Sequence, residues 1–197
     1  MKKFIIEQKI TAFANQYRIF DTDTGGLKNQ LIAFAHQKRM AFREEVKFFS
    51  DEAQTNIVFS IKAEKVMDIH GRYFINDENN RQIGATRKVF GSSLLRSTYE
   101  LMDGSEKIVV RVEERSLGMA LFRRLWGWIP YANDIPFIFK YHFNFVSTLN
   151  NQILGSYTKI TRFRDHYCLE IDDELLSTLG QPTLLAQAVL LDVLQSR

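Results

Sequence analysis

The side chains that could do chemistry in this chain are few, and their spacing builds none of the common reaction centres. The four histidines, His36, His70, His142 and His166, are scattered among strand-like segments and share no metal-ligand spacing. The chain lacks the GxSxG elbow, the phosphate-binding loop, the GxGxxG fingerprint and the HExxH zinc pair. Cys168, the single cysteine, stands in the run YCLEI, where a thiol acts as a small inert hydrophobe. A lone cysteine forms no intramolecular disulfide, in keeping with a reducing compartment. No catalytic residue, cofactor or metal site is expected.

Binding chemistry is better represented. Arg123, Arg124, Trp126 and Trp128 stand together in RRLWGWIPY. Guanidinium groups take phosphate bidentately, and indole rings settle at the headgroup level of a bilayer. The alternative is that the tryptophans fold back over one end of the fold and leave the arginines solvated. A second cluster, Lys38, Arg39 and Arg43, offers the same phosphate chemistry, or else guards a strand edge against aggregation. Arg162 and Arg164 alternate around Phe163, as on the outer face of a strand.

These residues must be positioned by one globular unit. The 197 residues are 45% hydrophobic and 25% charged, with sixteen phenylalanines and seven tyrosines that lean toward strand. A net charge of only +3 gives no reason to expect nucleic acid. The start, MKKFIIEQKITAF, holds no apolar run long enough for a signal peptide, and no stretch is long enough to span a bilayer. A cytoplasmic protein without a transmembrane segment is expected. With no linker or low-complexity stretch, residues 1–197 read as a single domain.

A loose repeat runs through the chain: an aromatic strand, an Asp or Asn turn, then a strand opened by an aliphatic residue. Tyr17 leads to Asp21 and the Gly25-Gly26 turn, then Leu27; Val46 to Asp51, then Ile57. Tyr73 leads to Asp77 and Ile83, Tyr99 to Asp103 and Ile108, and Tyr141 to Asn150 and Ile153. Asp, Asn and Gly suit the left-handed positions of hairpin turns. The count is about a dozen strands, mostly an antiparallel meander. Two stretches fall outside the pattern: the charged run 37–45, and 117–139, which breaks at Gly127, Pro130 and Pro136 into a long aromatic loop.

The stretch from Gln181 to Leu194, QPTLLAQAVLLDVL, predicts a helix with Pro182 at its start. Thr183, Gln187 and Asp192 make no continuous polar stripe, so the helix must be enclosed. At about 21 Å it matches strands of about 20 Å, and would plug a barrel end to end.

The segments QKRMAFREEVKFFSDE (37–52), 59–101, SLGMALFRR (116–124) and LLAQAVLLDVLQSR (184–197) resemble the LURP-one-related family, which belongs with tubby C-terminal domains and phospholipid scramblases. The resemblance implies a mainly β fold: a closed antiparallel barrel of twelve strands around a buried C-terminal helix. Tubby-like domains bind phosphoinositides and scramblases act on membranes, so the resemblance implies a non-enzymatic binding module at phospholipid surfaces. A protein-interaction scaffold, or a barrel holding a small apolar ligand beside its helix, are the alternatives. Scramblases carry an acidic, supposedly calcium-binding segment before the terminal helix. Residues 165–174 keep acidity, with Asp165, Glu170, Asp172, Asp173 and Glu174, but lack the alternate-oxygen spacing and glycine of a calcium loop.

Overall fold

The computed structural model describes residues 1–10, 14–38, 45–64, 71–89, 97–115, 142–160 and 165–195. Twelve strands follow one another: β1 (Lys2–Ile10), β2 (Ala14–Thr22), β3 (Lys28–Lys38), β4 (Glu45–Phe49), β5 (Ile57–Ala63), β6 (Arg72–Asp77), β7 (Gln82–Lys88), β8 (Thr98–Asp103), β9 (Ile108–Glu114), β10 (His142–Ser147), β11 (Ile153–Lys159) and β12 (Asp165–Ile171). Each pairs antiparallel with its neighbours in the chain, and β12 returns to β1, Lys2 opposite Ile171 and Gln8 opposite Asp165. The meander is thus a closed barrel with no free edge to protect.

Period-2 alternation decides what faces the interior. Tyr17 and Ile19 of β2, Phe143 and Phe145 of β10 and Tyr167 and Leu169 of β12 all point into the core. Two helices finish the chain, α1 (Asp173–Leu179) and α2 (Gln181–Gln195). Every residue of α2 from Thr183 to Val193 is buried. The enclosed helix expected from the scattered polar residues is therefore present, and it packs most closely on β5, β6 and β7. Gly84 makes room for it: a Cβ there would lie 2.7 Å from Thr183 Cγ2. Among the described residues no helix is long and apolar enough to cross a membrane.

The hairpin turns share one construction. The backbone N–H groups of Gly26, Gln54, Asn80 and Glu106 donate to the carbonyls of Asp23, Asp51, Asp77 and Asp103 at 3.0–3.1 Å. Each donor residue is left-handed, with φ between 60° and 78°. The aspartate side chains hold the turns from within: Asp77 Oδ1 accepts from the N–H groups of Asn79 and Arg81, and Asp103 Oδ1 from those of Ser105 and Lys107. Asp23 occupies this place in the first hairpin, accepting from the Leu27 N–H at 2.8 Å. Asp21, expected there from the repeat, lies inside β2 and pairs with Lys2 Nζ at 3.0 Å. A side chain can hold a turn only from inside it, and β2 runs on past Asp21.

α1 is absent from the expectation for the segment before the terminal helix. Asp172 caps it, accepting from the Glu174 N–H at 2.9 Å, and Gly180 at φ 75° ends it so that α2 begins at once. The turns 23–27, 50–56, 78–81, 104–107 and 148–152 lie with α1 at one end of the barrel, the lower end. α2 starts there, beside Gly84, and rises to finish at the upper end, where Asp192 meets Tyr17 and Tyr167.

Candidate functional site

Antiparallel order sorts the connections between strands. The chain leaves β1, β3, β5, β7, β9 and β11 at the upper end and re-enters there. Lys38 closes β3 at that end. Arg39, Arg43, Arg123, Arg124, Trp126 and Trp128 lie outside the described residues, as do the 117–139 stretch and residues 39–44 of the charged run. In sequence one basic cluster falls between β3 and β4 and the other between β9 and β10. Those two gaps stand opposite one another across the twelve-strand ring.

The segments that join the strands also differ in charge. The upper connections 11–13, 39–44, 65–70, 90–96, 116–141 and 161–164 carry nine Lys and Arg against three Asp and Glu, a net +6. The five lower turns and 172–179 carry two Lys and Arg against eight Asp and Glu, a net −6. The overall +3 conceals this difference between segments. The acidic turns and α1 share their end of the barrel with the amino end of α2, where the helix dipole favours negative charge.

Inside the upper end the apolar core gives way to polar side chains. Tyr17 Oη donates to Asp192 Oδ2 at 2.8 Å, Tyr167 Oη donates to the other carboxylate oxygen, and Gln8 Nε2 donates to Tyr17 Oη at 3.1 Å. Burial first, and then the charge of Asp192, hold the Tyr17 phenol well above its ordinary pKa. Lys159, almost fully buried, stands over the Tyr167 ring at 5.8 Å from the centroid. Asn15 and Gln37 face one another in the β2–β3 register, both buried. Sequence reading noticed Asp192 only as a break in an apolar helix. Its partners lie 175 and 25 residues away, beyond any local signal.

The remaining chemical candidates are dispersed. His36, His142 and His166 are half-buried in three different strands, His142 Nδ1 lying 3.3 Å from Thr158 Oγ1; His70 lies outside the described residues. Cys168 is half-buried in β12, and burial, followed by the Glu170 charge, raises its thiol pKa. Among the described residues no three metal-binding side chains converge. The acids of 165–174 serve other ends: Glu170 pairs with Lys3 at 2.6 Å, Asp172 caps α1, and Asp173 meets the amino terminus at 3.1 Å.

No match was found among curated proteins or among solved structures. The family model described as LURP-one-related matches residues 31–179, from within β3 to the end of α1. With most of the chain matched, and with a closed barrel around a buried terminal helix, the chain belongs to the LURP-one-related family.

Proposed function

We propose that the protein is a non-catalytic binding module that docks, upper end first, on anionic phospholipid surfaces, phosphoinositide-bearing ones included. The observation that carries this reading is the division of charge, net +6 in the upper connections against net −6 in the lower turns and α1. A basic residue near an anionic leaflet contributes about 1 kcal/mol, so a handful acting together suffices for peripheral attachment. The acidic end is repelled by the same leaflet, which orients the barrel during approach. Arg123 and Arg124 supply phosphate contacts, and Trp126 and Trp128 supply interfacial anchoring. Lys38, Arg39 and Arg43, from the segment that joins β3 to β4, add further charge.

Sedimentation with vesicles tests the reading. Vesicles containing phosphoinositide should pellet the protein, and Trp126→Ala with Trp128→Ala should weaken pelleting while circular dichroism stays unchanged. Raising salt from about 0.05 M to 0.5 M shortens the screening length from about 14 to 4 Å and should release most of the bound protein. Pelleting no greater than with neutral vesicles at low salt overturns the proposal.

A further inference from the structure

The lower rim is not uniform around the ring. Its connections follow one another as the β10–β11 turn, α1 with the start of β1, and the β2–β3, β4–β5, β6–β7 and β8–β9 turns. Acids crowd into three adjacent ones. α1 and its cap bring Asp172, Asp173 and Glu174, the β2–β3 turn brings Asp23, and the β4–β5 turn brings Asp51 and Glu52. In the β6–β7 and β8–β9 turns Glu78 and Arg81 cancel in count, as do Glu106 and Lys107.

Exposed apolar side chains keep to the same side. Among the described residues the exposed large hydrophobics are Met1, Leu27, Ile57, Leu149, Ile153 and Ile160, and all but Ile160 stand at the lower rim. Leu149 and Ile153 flank the β10–β11 connection, Leu27 closes the β2–β3 turn and Ile57 opens β5; the β6–β7 and β8–β9 turns carry none. A single exposed leucine is ordinary, whereas apolar residues gathered on one side and bordered by acids mark an interaction surface. The turns do not need these side chains. Leu27 and Leu149, 70% and 89% exposed, contribute through their backbone N–H groups, which donate to Asp23 Oδ1 at 2.8 Å and Ser147 Oγ at 3.2 Å.

Ion pairs leave this side acidic. Lys2, Lys3 and Lys28 are taken up by Asp21, Glu170 and Glu7 of the strands. Arg18 meets Glu52 and the amino-terminal ammonium meets Asp173, so Asp23, Asp51, Asp172 and Glu174 form the surplus. That charge repels nucleic acid and an anionic leaflet alike.

We propose that this side of the lower rim docks a basic amphipathic helix of a partner protein. The helix lays its apolar face over Leu27, Ile57, Leu149 and Ile153 and sets its lysines or arginines beside the acids. Neighbouring connections stand two strands apart, about 10 Å along the wall. Apolar residues seven positions apart on a helix share one face at a spacing of about 10.5 Å, so spacing and charge are matched together. The surface is argued from the lower rim alone, independently of membrane docking.

The probe is a synthetic peptide of about 14 residues, long enough for ~21 Å of helix, with leucines on one face and lysines on the other. Labelled with fluorescein, it should bind saturably, one peptide per barrel, by anisotropy at about 0.15 M salt, where only charges within about 8 Å still act. Leu27→Ser with Leu149→Ser should keep the circular dichroism and weaken binding about tenfold or more, since two apolar contacts are lost. Glu174→Lys should weaken it severalfold, and Glu78→Lys, on the neutral side, should change it little. Absence of saturable binding overturns the proposal, as do equal binding by a peptide with serine for leucine and binding that survives the double leucine variant. A concentration-dependent dimer abolished by that variant gives the surface to a second copy of the chain and overturns the helix. Loss of pelleting on phosphoinositide vesicles in the same variant gives it to lipid instead. Unchanged pelleting beside lost peptide binding is the expected result and keeps this surface distinct from membrane docking.

Discussion

Asp192 is the residue whose meaning changes most between sequence and structure. In the sequence it interrupts an apolar helix; in the fold it ties that helix to β2 and β12 through two phenols. Hydrogen bonds to an ionised group are worth about 1.5–3 kcal/mol. Tyr167→Phe should therefore lower unfolding free energy by about 2 kcal/mol in urea titration, with an unchanged m-value. An unchanged midpoint would show that the phenol contributes nothing to holding α2. Asp51 allows a pH test. Bonds first from the Thr55 hydroxyl and then from Ser50 hold its carboxyl below the ordinary carboxylate range. A depressed folded pKa contributes stability above the unfolded value, near 4, and loses it as pH falls through the folded value. Thr55→Val should raise the Asp51 titration midpoint read by NMR, and should narrow the loss of stability on the acid side.

The hairpin is the repeating element, and its chemistry was largely readable. Asp51, Asp77 and Asp103 stand where the repeat places them, because an Asx turn is local and needs no tertiary partner. The first hairpin was misread by two residues, since Asp21 and Asp23 look alike until the length of β2 is known. Gln54, Asn80 and Glu106 all adopt left-handed backbone without being glycine. Gln54, exposed and at φ 60°, should therefore accept glycine with a gain of about 0.5–1 kcal/mol, seen as a rise in Tm. A fall would mean that the Gln54 side chain holds the turn in some way beyond its backbone angle. α1 was missed because seven residues give too short a period to separate from the loop before α2, although Asp172, Asp173 and Glu174 before Leu175 and Leu179 form a recognisable start.

At the scale of the molecule the barrel and its helix are one cooperative object. Large apolar residues of α2 contribute about 1.5–3 kcal/mol each on burial, which together rivals the 5–15 kcal/mol of a typical domain. Leu190, 1% exposed, belongs to the core cluster. Leu190→Asp should abolish the cooperative thermal transition and yield an unfolded chain by circular dichroism. A folded soluble barrel carrying that substitution would instead identify α2 as a removable anchor. The gathering of acids also belongs to this scale, because no single turn is unusual and only their sorting by strand direction brings the acidic turns and α1 to one end.

Composition and periodicity by themselves determined that the chain is a strand-rich meander closed around an apolar helix, since alternation, turn residues and helix propensity are local properties. They also supplied the basic clusters at Lys38, Arg39, Arg43, Arg123 and Arg124 as residue types able to meet phosphate. Tertiary structure alone decided that the acids of the turns and of α1 gather at one end, and that Asp192 meets Tyr17 and Tyr167 toward the other. Those facts depend on strand direction, register and the rise of α2, which arise from contacts between residues far apart in the chain.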